Sequence, residues 1–568
     1  MAKLKFSEYE YHRPSYEDYK LQAEKAIAKL SQAQVADQAL AAVTKMGALL
    51  SELDKQAQLA LIRHSINTKD SFYQAEQDFW DQHQPLFEAI NTEYYRALLK
   101  SPFGVELEQV LPKQYFKMAE YKLKAFSPQV IEMLQKENEL ASSYDKLIAS
   151  AQIEFDGKIL NLSALGPYQQ STNPAIRKAA SEAYFQFFEE NEPKIDDLYD
   201  QLVKLRDKIA KQLGFKDFVE LGYIRMERYD YDRQMVQTYR ENVLEDVVPL
   251  AQKLYERQAK RIGVEKMHYY DLNLEFLDGN ATPKGDQAYI LEMGKKMYHE
   301  LSAETETFID YMYAGDLLDL ETKDGKQGGG YCTFIPGYDS PFIFANFNGT
   351  SGDIDVLTHE AGHAFQVFQS RWIQQPELVF PTSESAEIHS MSMEFFTYPW
   401  MELFFKEETE KYKFSHLSGA VQFLPYGVLV DHFQHEVYEN PEMTPAERKA
   451  VWRKLEKIYT PHKDYSDNAF LEKGTLWYRQ GHIFDTPFYY IDYTLAQVLA
   501  LQFWKRAIID KDPTAWKDYL AICEVGGTSS FLKLVDLANL KSPFEEGSLS
   551  EVMQVIDKQL TAIDDRKL

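Results

Sequence analysis

Two histidines four residues apart, with a glutamate between them, are the residues of this chain best suited to metal chemistry. They are the ends of the run His359-Glu360-Ala361-Gly362-His363. Residues four apart lie on one face of a helix, so both imidazoles can reach one ion, with Glu360 beside that face. Zinc binds such nitrogen ligands and lowers the pKa of a bound water, whose proton a nearby carboxylate can accept. The motif predicts one zinc ion per chain and Glu360 as general base.

The small residues Ala361 and Gly362 are expected to leave room beside the metal, although a glycine within a helix costs about 1 kcal/mol relative to alanine. The alternative to a metal site is that His359 and His363 are ordinary core histidines. That alternative does not explain why both share one helical face with a glutamate between them.

A third ligand is expected downstream, because two histidines do not complete a zinc site. Residues 382–394 have the pattern of a buried helix and contain Glu384, Glu387 and Glu394. Glu387 is the predicted ligand, since its charge would lie among apolar neighbours, where it is costly unless it binds a cation. Glu394 lies two turns further on the same face and is predicted to orient a ligand imidazole. A solvated acidic face remains the alternative for both.

The elements that must hold these residues are mainly helical. Apolar residues recur three or four apart from about residue 16 to 211, again through 233–261, and in most of the chain after 353. Between them, residues 269–274 alternate with period two and predict a half-buried strand. The fold is therefore expected to be mainly α, with a small β-sheet beside the zinc-binding helix.

Two short strands are predicted immediately before the motif, at 331–335 and 341–349, and both follow the glycine run 328–330. An exposed edge strand can pair with an extended peptide, and 344–348 is the candidate edge. The glycines could form a mobile flap that closes on a substrate. The candidate substrate contacts are Phe344, Ala345, Asn346 and Gly329. The alternative is an ordinary surface loop and a buried strand.

Composition limits the partners and the compartment. The chain has 568 residues, more than one core usually supports, so two or three lobes are expected. Its formal charge of −26 would repel a phosphate backbone, which argues against nucleic acid. Two cysteines exclude a disulfide framework, and neither a secretory signal nor a membrane span is evident. A cytoplasmic protein without membrane partners is expected, and its oligomeric state is left open.

The sequence resembles the thimet oligopeptidase family of zinc metallopeptidases, and most closely its oligoendopeptidase F branch, which includes Pz-peptidases. Four segments carry the resemblance: the motif 359–363, the glutamate helix 386–391, the segment 481–493 and the ending 526–530. The likeness extends from about residue 205 to the C-terminus. It implies an N-terminal helical lobe over 1–204 and a catalytic region over 205–568, with segments that can interleave in space.

The resemblance also implies a mostly helical, two-lobed ellipsoid with a deep channel that admits short peptides and excludes folded proteins. His359, His363 and Glu387 would hold the zinc. Glu360 would activate the water. Internal bonds of short, unfolded peptides are the expected substrate.

The segment 481–493 implies groups that stabilise the oxyanion from across the channel. They are His482 and, in order of preference, Tyr493, Tyr489 and Tyr490. A phenol or an imidazolium opposite zinc can donate a hydrogen bond to the developing negative charge. Aromatic core packing is the alternative for each of these residues.

Two other functions remain open at this point. An exo-acting dipeptidase or carboxypeptidase would need a charged anchor for a peptide terminus. A non-catalytic peptide-binding protein could keep zinc for structure alone, but Glu360 argues against it, because a structural site needs no glutamate at that position.

Overall fold

The computed structural model describes residues 4–465 and 467–568, and most of them are helical. The N-terminal half holds α1 (Tyr16–Ser31), α2 (Ala36–Ile66), α3 (Ser71–Leu99), α4 (Gly104–Leu107), α5 (Lys113–Ala125), α6 (Ile131–Ala149), α7 (Gly166–Gln169), α8 (Pro174–Glu190), α9 (Glu192–Gln212), α10 (Phe218–Arg225), α11 (Arg233–Asn242), α12 (Val248–Ile262), α13 (Gln287–Leu301) and α14 (Ala303–Ala314).

The C-terminal half holds α15 (Gly352–Ser370), α16 (Ser383–Phe396), α17 (Glu402–Phe405), α18 (Thr409–Glu439), α19 (Pro445–Tyr459), α20 (Ala469–Glu472), α21 (Gly481–Asp485), α22 (Tyr490–Trp504), α23 (Ala515–Val525), α24 (Phe531–Leu537) and α25 (Ser550–Thr561). The predicted mainly α fold is confirmed.

Two small sheets complete the fold. Strands β1 (Ile153–Phe155) and β2 (Lys158–Leu160) form a hairpin, while β3 (Leu318–Glu321), β4 (Tyr331–Ile335) and β5 (Ser340–Phe347) form a sheet in the order β3-β5-β4. β5 runs parallel to β3 and antiparallel to β4. Both β4 and β5 pack against α15, so the predicted small sheet beside the motif helix is confirmed.

The expected edge strand at 344–348 is wrong. β5 is the central strand, because Phe344 pairs with Tyr331 on one side and with Asp319 on the other. The strand that covers its second side, β3, has only four residues and begins directly after a turn, so its pattern is too short to be recognised. The edge next to α15 belongs to β4.

The predicted strand at 269–274 is also wrong, since these residues form consecutive turns. Gln258 explains the difference: its side-chain amide donates to the carbonyl oxygens of Leu272 and Leu274, at 3.0 and 2.8 Å. Burial does not follow the alternation either, because Tyr269, Asp271 and Leu274 are buried while Asn273 is exposed. A side chain, and not a neighbouring strand, satisfies the backbone there.

The helix that carries the motif packs very closely on its neighbour. A Cβ atom added to Gly362 of α15 would lie 2.6 Å from both the carbonyl oxygen of His389 and the Cα of Ser390 in α16. The expectation that this glycine leaves room for the metal is therefore wrong. It leaves room for the backbone of α16, which carries the other predicted ligand.

The buried apolar side chains fall into two large clusters. One joins α1, α2, α3 and α5 and includes Val367 of α15, and the other contains α15, α16, α18 and α22. The predicted boundary between residues 204 and 205 falls inside α9, and the division into two lobes stays a prediction. In the described part of the chain, no helix is long and apolar enough to cross a membrane.

Candidate metal centre and catalytic cavity

The two histidines of the motif lie one turn apart on α15, and their side chains converge. Their ring centroids are 5.1 Å apart. His359 Nε2 lies 3.1 Å and His363 Nε2 lies 3.3 Å from the same oxygen, Glu387 Oε2. One ligand atom from each of these three residues lies within 4.8 Å of the other two. The residues predicted as metal ligands are therefore brought together.

Glu387 lies in the middle of α16 and is 1% exposed. Burial by itself would raise the pKa of Glu387, but His363 and His359 outweigh it and hold that pKa well below its usual range. Its oxygens also accept hydrogen bonds from Ser390 Oγ (2.9 Å) and from Tyr489 OH (2.6 Å). Two imidazole nitrogens and an ionised carboxylate form a donor set that suits Zn²⁺, so the residues fit the metal.

Glu394 lies two turns after Glu387 and contacts the first ligand from behind. His359 Nδ1 and Glu394 Oε1 are 2.7 Å apart. A carboxylate only accepts, so Nδ1 carries the proton, and Nε2 is the nitrogen that would face a metal. The other oxygen of Glu394 accepts from His416 Nε2 at 2.7 Å, and His416 Nδ1 lies 2.7 Å from Tyr398 OH.

His416 and Tyr398 were not predicted. His416 belongs to α18 and lies 22 residues after Glu394, but no regular spacing relates it to the motif. The available signal was the polarity of His416 on an otherwise apolar helix face.

Glu360 is 6% exposed, and its Oε2 atom has no hydrogen-bond partner among the described residues. Burial raises its pKa, although His359 and His363 oppose the shift. A Cβ atom on Gly330 would lie 3.5 Å from Glu360 Oε1. The absence of a side chain at Gly330, just before β4, therefore leaves the space beside this carboxylate unfilled. A buried carboxylate with a raised pKa is suited to accept and return a proton near neutral pH.

A cavity of about 290 Å³ is lined by Glu360, Glu387 and the two histidines of the motif. The other lining residues are Gly330, Tyr331, Cys332, Phe380, Pro381, Ser383, Ala386, Tyr489 and Tyr493. A second cavity, of about 750 Å³, shares Tyr493 with the first and is lined also by His482, Tyr490 and Glu394. The catalytic cavity therefore adjoins a larger space that can hold a chain of several residues.

His482 and Tyr493 lie together opposite the metal ligands, with His482 Nε2 and Tyr493 OH 3.1 Å apart. Gln480 Nε2 lies 3.0 Å from His482 Nδ1, and Gln480 Oε1 accepts from Tyr426 OH at 3.1 Å. This network assigns the imidazole proton to Nε2, which donates to Tyr493. The hydroxyl hydrogen of Tyr493 is then free to point into the cavity.

Burial lowers the pKa of His482 to about 4 and raises that of Tyr493 well above its ordinary value. Both side chains are therefore neutral near pH 7. The expected imidazolium is wrong for this site, while the expected phenol donor is available.

The other two tyrosines differ from Tyr493. Tyr489 lines the catalytic cavity, but its hydroxyl donates to Glu387 and so supports a ligand. Tyr490 lines only the larger cavity and packs edge-on against Phe423 and Tyr426. Of the three, Tyr493 has the geometry of a hydrogen-bond donor to a substrate.

None of the four predicted substrate contacts lines the catalytic cavity or the larger cavity. Phe344 and Ala345 are fully buried in the central strand, and the Asn346 side chain donates to the carbonyl oxygens of Gln327 and Gly329, at 2.8 Å each. Gly329 is exposed and has a positive φ of 85°, which suits glycine. Its role as a flap stays a prediction.

Two family models match separate parts of the chain. Residues 6–126 match the model of the peptidase M3 N-terminal domain, and residues 167–554 match the model of peptidase family M3. A curated oligoendopeptidase F homolog of Mycoplasma genitalium is 24% identical over 259 residues, which are 43% of this chain and 40% of that protein. The chain thus spans less than half the length of this relative.

Two solved structures match over essentially the whole chain. One is an X-ray structure of a protein assigned as an oligoendopeptidase F, which is 54% identical, with a TM-score of 0.98 and 100% of each chain covered. The other is Pz-peptidase A with an inhibitor, which is 53% identical, with a TM-score of 0.98 and 99% and 100% of the chains covered. Fold, motif and family model therefore agree, and this chain belongs to peptidase family M3.

Proposed function

We propose that this chain is a zinc-dependent endopeptidase that hydrolyses internal bonds of short, unfolded peptides. The observation that carries the proposal is the convergence of His359 Nε2, His363 Nε2 and Glu387 Oε2 beside Glu360 in one cavity. Zinc held by these three atoms would polarise the scissile carbonyl and lower the pKa of a water.

Glu360 is the proposed general base. It accepts the proton of the attacking water and then returns it to the nitrogen of the leaving amine. Its buried, unpartnered Oε2 atom and its raised pKa support this role, because a carboxylate with a raised pKa is a stronger base toward the water and, once protonated, is still acidic enough to protonate an amine nitrogen.

Tyr493 is the proposed donor to the carbonyl oxygen as negative charge develops there. His482 donates to the Tyr493 hydroxyl and so leaves the phenol hydrogen for the substrate. One such donor contributes about 2.7–4 kcal/mol to lowering the barrier. Tyr489 is proposed to hold Glu387 in its ligand position, and Glu394 to orient His359.

The proposed peptide-binding strand is β4, and not the buried β5. β4 pairs with another strand on one side only, and its residues Tyr331 and Cys332 line the catalytic cavity. An extended peptide can pair with such an edge through main-chain hydrogen bonds, which accept many sequences.

Internal cleavage is favoured over removal of terminal residues. Neither the catalytic cavity nor the larger cavity is lined by a lysine or arginine among the described residues, so neither offers an anchor for a terminal carboxylate. The carboxylates of the larger cavity are already engaged: Glu394 by His359, Asp355 by Tyr412 and Glu275 by Arg261.

The test compares an internally quenched peptide blocked at both ends with the same peptide left unblocked. Protein stripped of metal and reloaded with Zn²⁺ is expected to cleave both peptides at the same internal bond, and stripped protein neither. Cleavage of the unblocked peptide alone would establish an exopeptidase. Zinc binding without cleavage of either peptide would indicate a peptide-binding protein that is not an enzyme.

A further inference from the structure

The segment that carries His482 and Tyr493 is irregular where it faces the cavity. It runs from α21 through a turn into α22, and Phe488 lies at its centre with a φ of 70°. A positive φ is unfavourable for a side chain as large as phenylalanine, so the surroundings must hold the conformation. Tyr489 follows directly, and its hydroxyl contacts Glu387.

One buried guanidinium holds the start of this segment. Arg206 of α9 donates to the carbonyl oxygens of Ile483 and Phe484, immediately after His482. Its charge is paired with Glu137 Oε1 at 2.6 Å. The side chain of Arg206 is fully buried, so water does not compete for these bonds.

A second buried guanidinium holds the end of the segment. Arg228 Nη2 donates to the carbonyl oxygen of Phe488 at 2.6 Å and to Asp492 Oδ1 at 3.1 Å. Both charged side chains are 0% exposed. From the opposite side, Gln434 Oε1 accepts from the Phe488 N–H at 2.8 Å, and Gly222 lies against the Phe488 ring.

We propose that Arg206 and Arg228 are positioning residues for peptide hydrolysis, which hold the two ends of segment 482–493 so that Tyr493 faces the metal ligands. The inference rests on the proposed function. Both arginines come from the N-terminal part of the chain and touch the segment through backbone carbonyls, so they set its path without contacting a substrate. The two hydrogens of Arg228 Nη2 lie in the guanidinium plane and have fixed directions toward the carbonyl and the carboxylate, whereas the hydrogens of a lysine ammonium rotate freely.

The first test is Arg228→Lys, which keeps the charge and removes the planar donor group. We expect kcat to fall about 10- to 100-fold, because small displacements of catalytic groups have effects of this size. KM is expected to change less than about threefold, and the zinc content should stay at the wild-type level.

Arg448→Lys is the matched control. Arg448 is also buried and also donates to one carboxylate, Asp200, and one backbone carbonyl, that of Pro441, but these partners lie outside segment 482–493. The Arg448→Lys variant should have a melting temperature lowered about as much as that of Arg228→Lys, and a kcat near the wild-type value. An equal loss of kcat in the control, or loss of zinc from Arg228→Lys, would show that the arginine supports stability only.

The decisive measurement is a double-mutant cycle with Tyr493→Phe. If Arg228 acts through Tyr493, Arg228→Lys should lower kcat less than about threefold once the hydroxyl is absent. If the fold-losses of kcat caused by the two substitutions multiply in the double variant, the inference is overturned and the proposed function is left intact. If the wild type cleaves peptides and Tyr493→Phe keeps full kcat, both the donor role and the positioning role are wrong.

Two further variants keep the test decisive if Arg228→Lys does not fold. Arg206→Lys loosens the start of the segment, and Gly222→Ala displaces Phe488 from the other side, since the added Cβ would lie 2.5 Å from its ring. Both should show the same coupling to Tyr493→Phe. Additive behaviour in both would again overturn the inference.

Discussion

The two walls of the catalytic cavity are built differently. The wall with the metal ligands consists of two long helices, α15 and α16, on which His359, His363 and Glu387 have fixed spacings. The opposite wall is a short helix, a turn with a positive φ at Phe488 and the first turn of α22. A helix positions side chains by its own hydrogen bonds, whereas a turn must be positioned by distant parts of the chain.

Both walls carry polar networks that are only partly satisfied. On the metal wall both oxygens of Glu394 have partners, His359 and His416, but Glu360 Oε2 and His363 Nδ1 are buried without partners among the described residues. On the opposite wall Arg228 Nε, Arg228 Nη1 and Asp492 Oδ2 are buried without partners among the same residues. Buried polar groups without partners are costly on either wall, so the two walls differ in how their residues are positioned and not in the completeness of their networks.

Glu360→Gln tests the metal wall and should have the largest effect. The amide cannot accept the proton of the water, so kcat should fall by up to about 10⁴-fold. Zinc content is expected to be unchanged, because Glu360 is not among the three converging ligand atoms. Peptide cleavage and metal analysis of the same preparation check this. An active Glu360→Gln would exclude Glu360 as the base.

Tyr493→Phe tests the opposite wall and should have the next largest effect. Loss of one donor to the oxyanion should lower kcat about 10²- to 10³-fold with little change in KM. Tyr490→Phe is the control on the same helix, since Tyr490 does not line the catalytic cavity. Equal losses in the two variants would contradict the assignment of Tyr493.

Glu394→Gln sharpens the comparison, because it changes the metal wall without removing a ligand. Loss of the carboxylate behind His359 should weaken zinc binding about 10- to 100-fold. Competition with a chelator measures this affinity, and saturating zinc should restore most of the activity. Unchanged affinity would mean that Glu394 only supports the fold.

The smallest expected effect is on the pH profile. His482 has a pKa of about 4, below the ordinary value for histidine, so it gains a proton only as the pH falls through that value. Above about pH 5 the acid limb of kcat/KM should follow Glu360, which must lose its proton to act. His482→Gln should therefore lower kcat/KM without moving the midpoint of that limb. A shifted midpoint would show that His482 titrates in this range.

This contrast also explains what the sequence could predict. The spacing of His359, His363 and Glu387 is a property of local helices, and their predicted convergence is confirmed by the geometry. Arg206 and Arg228 belong to elements far away in the chain, His416 lies on a separate helix, and no local pattern relates any of the three to the site. The ranking of the tyrosines rested on a family resemblance, and the hydroxyl partners of each tyrosine appear only in the structure.

The sheet shows the same limit. The strands at 331–335 and 341–349 were recognisable from their own residues, but which of them lies at the edge depends on β3. Pairing between strands is a long-range property, so Phe344 and Ala345 could not be excluded as peptide contacts from local sequence. The family resemblance predicted the mainly α fold and its function, but not these contacts.

Gly362 shows that a residue of the motif can have a packing role instead of a chemical one. The glycine between Glu360 and His363 takes no part in the chemistry, and its missing side chain sets how close α16 can come to α15. The same position thus acts as a spacer that fixes the distance between two ligand-bearing helices. In homologous chains with a larger residue there, the two helix axes should be further apart, and the third ligand would need to reach the ion from a greater distance.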